Sequence, residues 1–306
     1  MKVACLKVPE LKERLSGVGL YLKTGPFIVR LQGQIGTLPQ IIRLLYADFP
    51  VAKGEVIADF HISLRKPGNL RYWWRPQVLF QIDGRIPFEP FPLKLATPLL
   101  EWGMNWCIAT RAHHYLMLHA GIVEKNGQGI ILPAYPGSGK STLCAALIHR
   151  GWRLLSDEFG LVNMEDGRIV PLPRPISLKN QSIAVIREFA PDAVIGPSFP
   201  KTRKGTVAHL RPPTSSVERM EETVSPSLVI FPRYKTGAPT VLESYSQAYA
   251  FLKLANNAFN YEVLGVNGFK LVTKMIRSCQ CYALSFGDLD EAIAKLDALV
   301  APSYAG

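Results

Sequence analysis

The residues best able to do chemistry in this chain lie between positions 119 and 158. The run Ala134-Tyr-Pro-Gly-Ser-Gly139-Lys140-Ser141 has the spacing of a phosphate loop, with alanine at the first position where glycine more often stands. In such a loop, backbone N–H groups and a helix N-terminus converge on one spot and cradle anionic oxygens. Pro136, Gly137, Ser138, Gly139, Lys140, Ser141 and Thr142 are therefore expected to line a nucleotide site, with ATP and Mg²⁺ as cofactors. Lys140 would reach the β- and γ-phosphates, and Ser141 would offer its hydroxyl to the metal.

The segment "WRLLSDEF" follows almost at once and ends an apolar run in two acids, Asp157 and Glu158. A phosphoryl-transfer site needs such a pair, one acid for the metal and one to take the proton of the attacking hydroxyl. Upstream, "LHAGIVEKNGQGIILPA" reads as a hairpin turning at Asn126-Gly127, a dipeptide suited to the positive φ angles of a type I′ turn. That turn sets His119 opposite Ala134, at the entrance to the loop, within expected reach of the γ-phosphate or the catalytic acid.

Placing these groups together requires a strand, the loop, a helix and a second strand. "GIIL" reads as a buried strand and "STLCAALIHRG" as a helix stopped by Gly151. A right-handed parallel crossover would then bring the end of "WRLL" beside the loop. Strand and helix signals alternate from there on, as in an α/β domain. The chain closes on a strand and a helix opened by an Asp288/Glu291 capping box.

Residues 26–92 instead favour strands: "FIVRLQG", "VIADFHISL" with Val56, Ala58, Phe60, Ile62 and Leu64 alternating, and "QVLFQIDGRIPF", interrupted by the helix "LPQIIRLLYADF". Thr97-Pro98 reads as the N-cap and first position of a helix reaching His113, with Leu99, Gly103 and Trp106 on one face. The expected organisation is a small α+β domain over 1–95, a connecting helix over 96–113, and an α/β P-loop catalytic domain with a mixed sheet over 114–306.

Further cations come from "RPISLKN" (Arg174, Lys179) and from "KTRKGTVAHLRPP" (Lys201, Arg203, Lys204, His209, Arg211). The proline-flanked stretch 191–213 reads as a mobile lid carrying a cation, Lys204 or Arg211, to the charge that builds on a transferring phosphoryl group. Arg233 closes the apolar run "SLVIF", a common address for a site residue. Arg174, Lys204, His209, Arg211 and Arg233 are thus candidate substrate or phosphate contacts. Asn256, Asn257 and Asn260 read as capping and turn residues.

Composition bounds the function class. The chain has 306 residues, 48% hydrophobic and 19% charged, which suits a folded core, and a net charge of +11, which suits an acidic partner. The basic excess is dispersed and no DNA-recognition signature accompanies it, which argues against nucleic acid. Five scattered cysteines read as free thiols of a reducing compartment, and Cys279-Gln-Cys281 lacks the companions of a metal site. With no apolar leader and no stretch of 18 apolar residues, the expected location is the cytoplasm.

The segments "LLEWGMNWC", "LMLHAG", "LPAYPGSGKSTLCAAL", "GWRLLSDEF", "PLPRPISLKN", "KGTVAHLRPP", "FPRY" and "FNYEVLG" together resemble the HPr-kinase-related kinase A family. Residues 115–162 also resemble the catalytic domain of HPr kinase/phosphorylase, which is related to phosphoenolpyruvate carboxykinase, although Glu158 stands where HPr kinase has a second aspartate. The resemblance implies an ATP-dependent Ser kinase acting on a peptide or small protein, with self-association into a homo-oligomer in view. It implies Asp157 as general base, Glu158 and Ser141 as Mg²⁺ ligands, Lys140 on the phosphates and His119 at the transferring group. A small-molecule hydroxyl acceptor and a non-catalytic ATP-sensing module remain alternatives.

Overall fold

In the first third of the chain Leu20, Leu22 and Thr24, then Phe27, Val29 and Leu31, are buried while the residues between them are part-exposed. A period of two is what a sheet with one covered face requires. The computed structural model describes residues 1–52, 56–68, 73–133, 135 and 137–301. Strands β1 (Leu20–Thr24), β2 (Phe27–Gly33), β3 (Phe60–Arg65), β4 (Gln77–Ile82) and β5 (Phe91–Pro92) form one sheet in that order. Neighbours are antiparallel except β2 and β3, which run parallel. Helices α1 (Val8–Ser16), α2 (Leu38–Leu45) and α3 (Ala96–Arg111) share its core. That core also takes in Met117, Phe159, Leu161 and Leu172 from the second half of the chain.

Two sequence expectations are corrected here. The strand expected from Val56 begins only at Phe60, because Asp59 turns its side chain to the backbone N–H of Ile28 (2.7 Å). The helix expected to be capped by Thr97 starts two residues earlier, at Ala96, out of a 3₁₀ turn over Leu93–Leu95, and Thr97 lies buried inside its first turn. Leu95 and Ala96 are themselves core residues, so the helix begins where burying them requires it.

The second half runs through β6 (Tyr115–Leu118), β7 (Ala120–Lys125), β8 (Gln128–Pro133), α4 (Lys140–Ile148), β9 (Arg153–Ser156), β10 (Gly160–Asn163), β11 (Ile169–Val170) and β12 (Ile176–Lys179). It continues with α5 (Gln181–Phe189), β13 (Phe199–Thr202), β14 (Gly205–Leu210), α6 (Thr214–Glu218), β15 (Pro226–Tyr234) and β16 (Val241–Ser244). The last elements are α7 (Gln247–Asn256), α8 (Tyr261–Ser278), β17 (Gln280–Phe286) and α9 (Leu289–Leu299). The main sheet has the order β16-β17-β15-β8-β7-β9 and is mixed: β17, β15 and β8 are parallel, and β16, β7 and β9 pair antiparallel.

Both faces of this sheet are covered. Val123, Ile130, Leu132, Leu154 and Ile230 pack with residues of α4, α5 and α9, while Ile122, Ile131, Leu155 and Val229 pack with residues of α7 and α8. Adjacent residues on one strand thus serve opposite layers, the arrangement of a mixed α/β protein. Among the described residues no helix is long and apolar enough to cross a membrane.

The Asn126-Gly127 turn has φ of 54° and 76°, and Ala120 pairs with Pro133 as its two-residue loop dictates. The crossover needs correction: β9 pairs with β7, so the hairpin strand lies between β8 and β9. Being antiparallel to the same strand, β8 and β9 still point the same way, and their C-terminal ends share one edge. The stretch 191–213 is also corrected. Rather than a mobile loop it holds the hairpin β13–β14, with Val207 to Leu210 buried against β12. Pro and Lys content masked the apolar run "VAHL".

Gly103 lets α3 lie against the first sheet. A Cβ there would sit 2.0 Å from Phe80 Cε2. Alanine at an ordinary helix position stabilises by roughly 0.5–1 kcal/mol over glycine, but here the overpacking should cost about 1–3 kcal/mol. Gly103→Ala is expected to lower the denaturation midpoint without changing the m-value; a raised midpoint would show that Phe80 moves aside freely.

Candidate active site

The turn before α4 is built for glycine. Gly137 and Gly139 have φ of 87° and 86°, and a Cβ on Gly139 would come within 2.8 Å of Tyr234 Cβ. The carbonyl of Ser138 accepts from Tyr234 N (2.9 Å), which ties the turn to the end of β15, and Ser138 Oγ is buried without a partner. Ser141 and Thr142 follow, part-buried, in the first turn of α4, whose leading N–H groups have no partners within the helix. Ala134 and Pro136 lie outside the described residues.

Lys140 is buried, and its ammonium donates to the Asp157 carbonyl oxygen and lies 3.5 Å from Asp157 Oδ1. That oxygen is buried and has no hydrogen-bond partner. Glu158 next to it accepts from Asn105 Nδ2 at Oε2 (2.6 Å) and faces Lys204 Nζ at Oε1 (3.9 Å). Burial would raise the Glu158 pKa, but the charges of Lys140, Lys204 and Lys179 outweigh it and hold the carboxyl below its ordinary range. Lys179, at the end of β12, is lowered by burial and by Lys204. Three lysines and two carboxylates therefore meet where β9, β12 and the β13–β14 turn end.

His119 bridges β6 and β7 and donates its backbone N–H to Asn257 O (2.7 Å). Its ring lies 5.5 Å from that of Phe259, which stacks on Phe159 at 4.4 Å. Burial and then Lys140 lower its pKa, so it is a neutral imidazole near neutral pH. Asn260 Oδ1 accepts from Met117 N and its Nδ2 donates to Tyr115 O, which makes it a support for β6.

The other candidates separate. Lys204, in the turn of the hairpin, reaches Glu158. Arg174 is buried and bonded to Glu101 and Asn105 of α3. Arg211 pairs with Asp48 of the first half (2.6 Å). Arg233 is exposed at the end of β15. His209 is 1% exposed, with neither ring nitrogen bonded, and lines a narrow cleft with Asp157, Glu158, Arg174 and Ser177. Sequence reasoning missed Glu101, Asn105 and Tyr46. The available signal was a Glu and an Asn four residues apart, on one face of an otherwise apolar helix.

Burial first, and Arg174 among the nearby charges, lowers the His209 pKa; His119 and His149 shift the same way. A group whose folded pKa lies below its unfolded value, about 6.5 for histidine, takes up protons more readily when unfolded. Stability is then full above about pH 6.5 and falls as pH drops below it. Melting temperature is expected to fall between pH 7.5 and 5.5, and to fall less in His209→Gln. An equal fall in both proteins would remove His209 as a contributor.

No family model matches the sequence, and no curated protein matches it. Among solved structures the chain is similar to the Hpr(Ser) kinase/phosphatase from Coxiella burnetii. The identity is 14%, over 60% of this chain and 96% of that one, with a TM-score of 0.26.

Proposed function

We propose that this chain is a P-loop phosphotransferase that moves the γ-phosphoryl group of ATP to a hydroxyl, most simply a seryl hydroxyl of a peptide or small protein. The observation that carries the reading is the buried pair of Lys140 and Asp157, set between a glycine turn with a helix N-terminus and the end of a neighbouring strand. A lysine at this place can release Asp157 in favour of phosphate oxygens, with the backbone N–H groups of the turn and of α4 beside it.

The chemistry then follows from the residues present. Asp157 Oδ1, buried and without a hydrogen bond, takes the proton of the acceptor alcohol. The alcohol oxygen bonds to the γ-phosphorus while the bond from phosphorus to the β–γ bridging oxygen breaks, and ADP leaves. Lys140 and Lys204 face the negative charge that spreads over the transferring group. His119, neutral and beside the acids, can donate one hydrogen bond there without adding charge.

The donor set fits magnesium. Among the described residues no group of three or more His, Cys, Asp and Glu could hold a metal ion by itself. Mg²⁺ typically takes one or two protein oxygens and completes its shell with water and substrate phosphates. Glu158, held ionised, and the Ser141 hydroxyl are the oxygens available for it. When bound, the metal would neutralise phosphate charge and fix the nucleotide.

A peptide or protein acceptor is favoured by the surroundings of the site. Phe259, 47% exposed, touches His119, and Tyr234, 45% exposed, abuts Gly139. Val263 and Val266 continue that exposed apolar surface along α8. We further assign the work of residues 114–306 to catalysis, with residues 1–95 as a supporting domain joined to it by α3 and by the core it shares with Met117, Phe159 and Leu161.

The test is transfer from γ-labelled ATP and Mg²⁺ into serine-containing peptides and small proteins. Lys140→Ala is expected to abolish nucleotide binding. Asp157→Asn is expected to keep it and to lose transfer by about 10²–10⁴-fold. Tight ATP binding with no label transferred by the wild type would instead favour a nucleotide sensor.

A further inference from the structure

We infer that Asn105 is a positioning residue for the Glu158 carboxylate, and that the N-terminal sheet domain holds it in place through a chain of hydrogen bonds that begins at the buried Tyr46. The inference rests on the proposed reading of Glu158 as the metal-binding acid.

The chain can be followed bond by bond. Tyr46, buried at the end of α2 against Phe49, donates its hydroxyl to Glu101 Oε1 (2.6 Å). Glu101 Oε2 accepts from Arg174 Nη2 (2.6 Å), and the same nitrogen lies 3.2 Å from the Glu101 carbonyl. Arg174 Nη1 donates to Asn105 Oδ1, and Asn105 Nδ2 donates to Glu158 Oε2 (2.6 Å). Glu101 thus accepts from two donors and Arg174 donates to two acceptors, while Asn105 stands between a donor, Arg174, and an acceptor, Glu158.

This arrangement fixes the amide of Asn105. Turned over, its NH₂ would face the donors of Arg174 and its oxygen would face the Glu158 carboxylate, so both bonds would be lost at once. Such losses are costly where burial leaves no solvent to replace the missing partner, as it does at Arg174. One oxygen of Glu158 is thereby held at a set position, leaving Oε1 toward Lys204 and the space beside Lys140. Groups that orient a metal-binding carboxylate in this way commonly change metal affinity about 10- to 100-fold when removed.

A purely structural ion pair between Glu101 and Arg174 would account for the burial but not for the last bond, from Asn105 to Glu158. Asn105→Asp separates the two roles, since it keeps an acceptor for Arg174 and removes the donor to Glu158. Asn105→Ala serves as the second variant. The measurement is the Mg²⁺ concentration needed for half-maximal binding of the non-hydrolysable imido analogue of ATP by the full chain, alongside binding of the same analogue in chelator. Both variants are expected to need roughly 10-fold more Mg²⁺, with binding in chelator unchanged. Tyr46→Phe is expected to move the Mg²⁺ requirement in the same direction and by less.

Unchanged Mg²⁺ dependence in both Asn105 variants, with the analogue still bound, would overturn the positioning role and leave the phosphotransferase reading standing. An unchanged Tyr46→Phe would remove the N-terminal domain from the chain of support. Failure of the wild type to bind the analogue at all would overturn the phosphotransferase reading, and this inference with it.

Discussion

A buried ammonium group must find compensation inside the protein, and the position of Lys140 rests on Asp157, whose carbonyl accepts from it and whose carboxylate pairs with its charge. To reach them, α4 must lie tight across β7, which it does because Gly121 has no Cβ. One would stand 2.4 Å from Cys144 Sγ and 3.4 Å from Lys140 Cγ. The turn before α4 must also press against β15, which Gly139 permits at Tyr234. Finally β9 must end at the same edge as β8, and it does so because β7 lies between them antiparallel to both. One ion pair thus ties together a glycine contact, a helix–sheet packing and the strand order.

A second buried charge joins the two halves of the chain. Arg174, on the segment before β12, donates through its two terminal nitrogens to Glu101 and Asn105 of α3, and Tyr46 at the end of α2 donates to Glu101. Removing one partner from such a buried pair typically costs about 3–5 kcal/mol, because the other charge is left without compensation. The three elements are therefore energetically tied, and Glu101, Asn105 and Arg174 line one cleft with Asp157 and Glu158. The apolar core agrees, since Met117, Phe159 and Leu161 pack with the first sheet and α3.

The cations divide by geometry. Lys204 and Arg211 flank β14, a strand of six residues, and at about 3.4 Å per residue their backbones stand about 24 Å apart. They cannot serve the same phosphate. Lys204 meets Glu158, while Arg211 meets Asp48, so one hairpin carries a cation to the candidate site at one end and a fastening to the first half at the other.

Much of the candidate site was legible in the sequence because it is local. The spacing from Ala134 to Ser141, the Asn126-Gly127 turn and the two acids after "WRLL" are set by backbone conformation and short separations, and the hairpin register follows from its two-residue loop. The alternation of buried residues in β1 and β2 was legible for the same reason. Sequence alone did not place β7 between β8 and β9, recognise the β13–β14 hairpin among prolines and lysines, or assign Arg174 and Arg211 to different partners. Nor did it find Tyr46, Glu101 and Asn105, which lie 53 to 73 positions from their hydrogen-bond partners. A side chain's hydrogen-bond partner at that separation is chosen by how sheets and helices stack, and no local spacing records it.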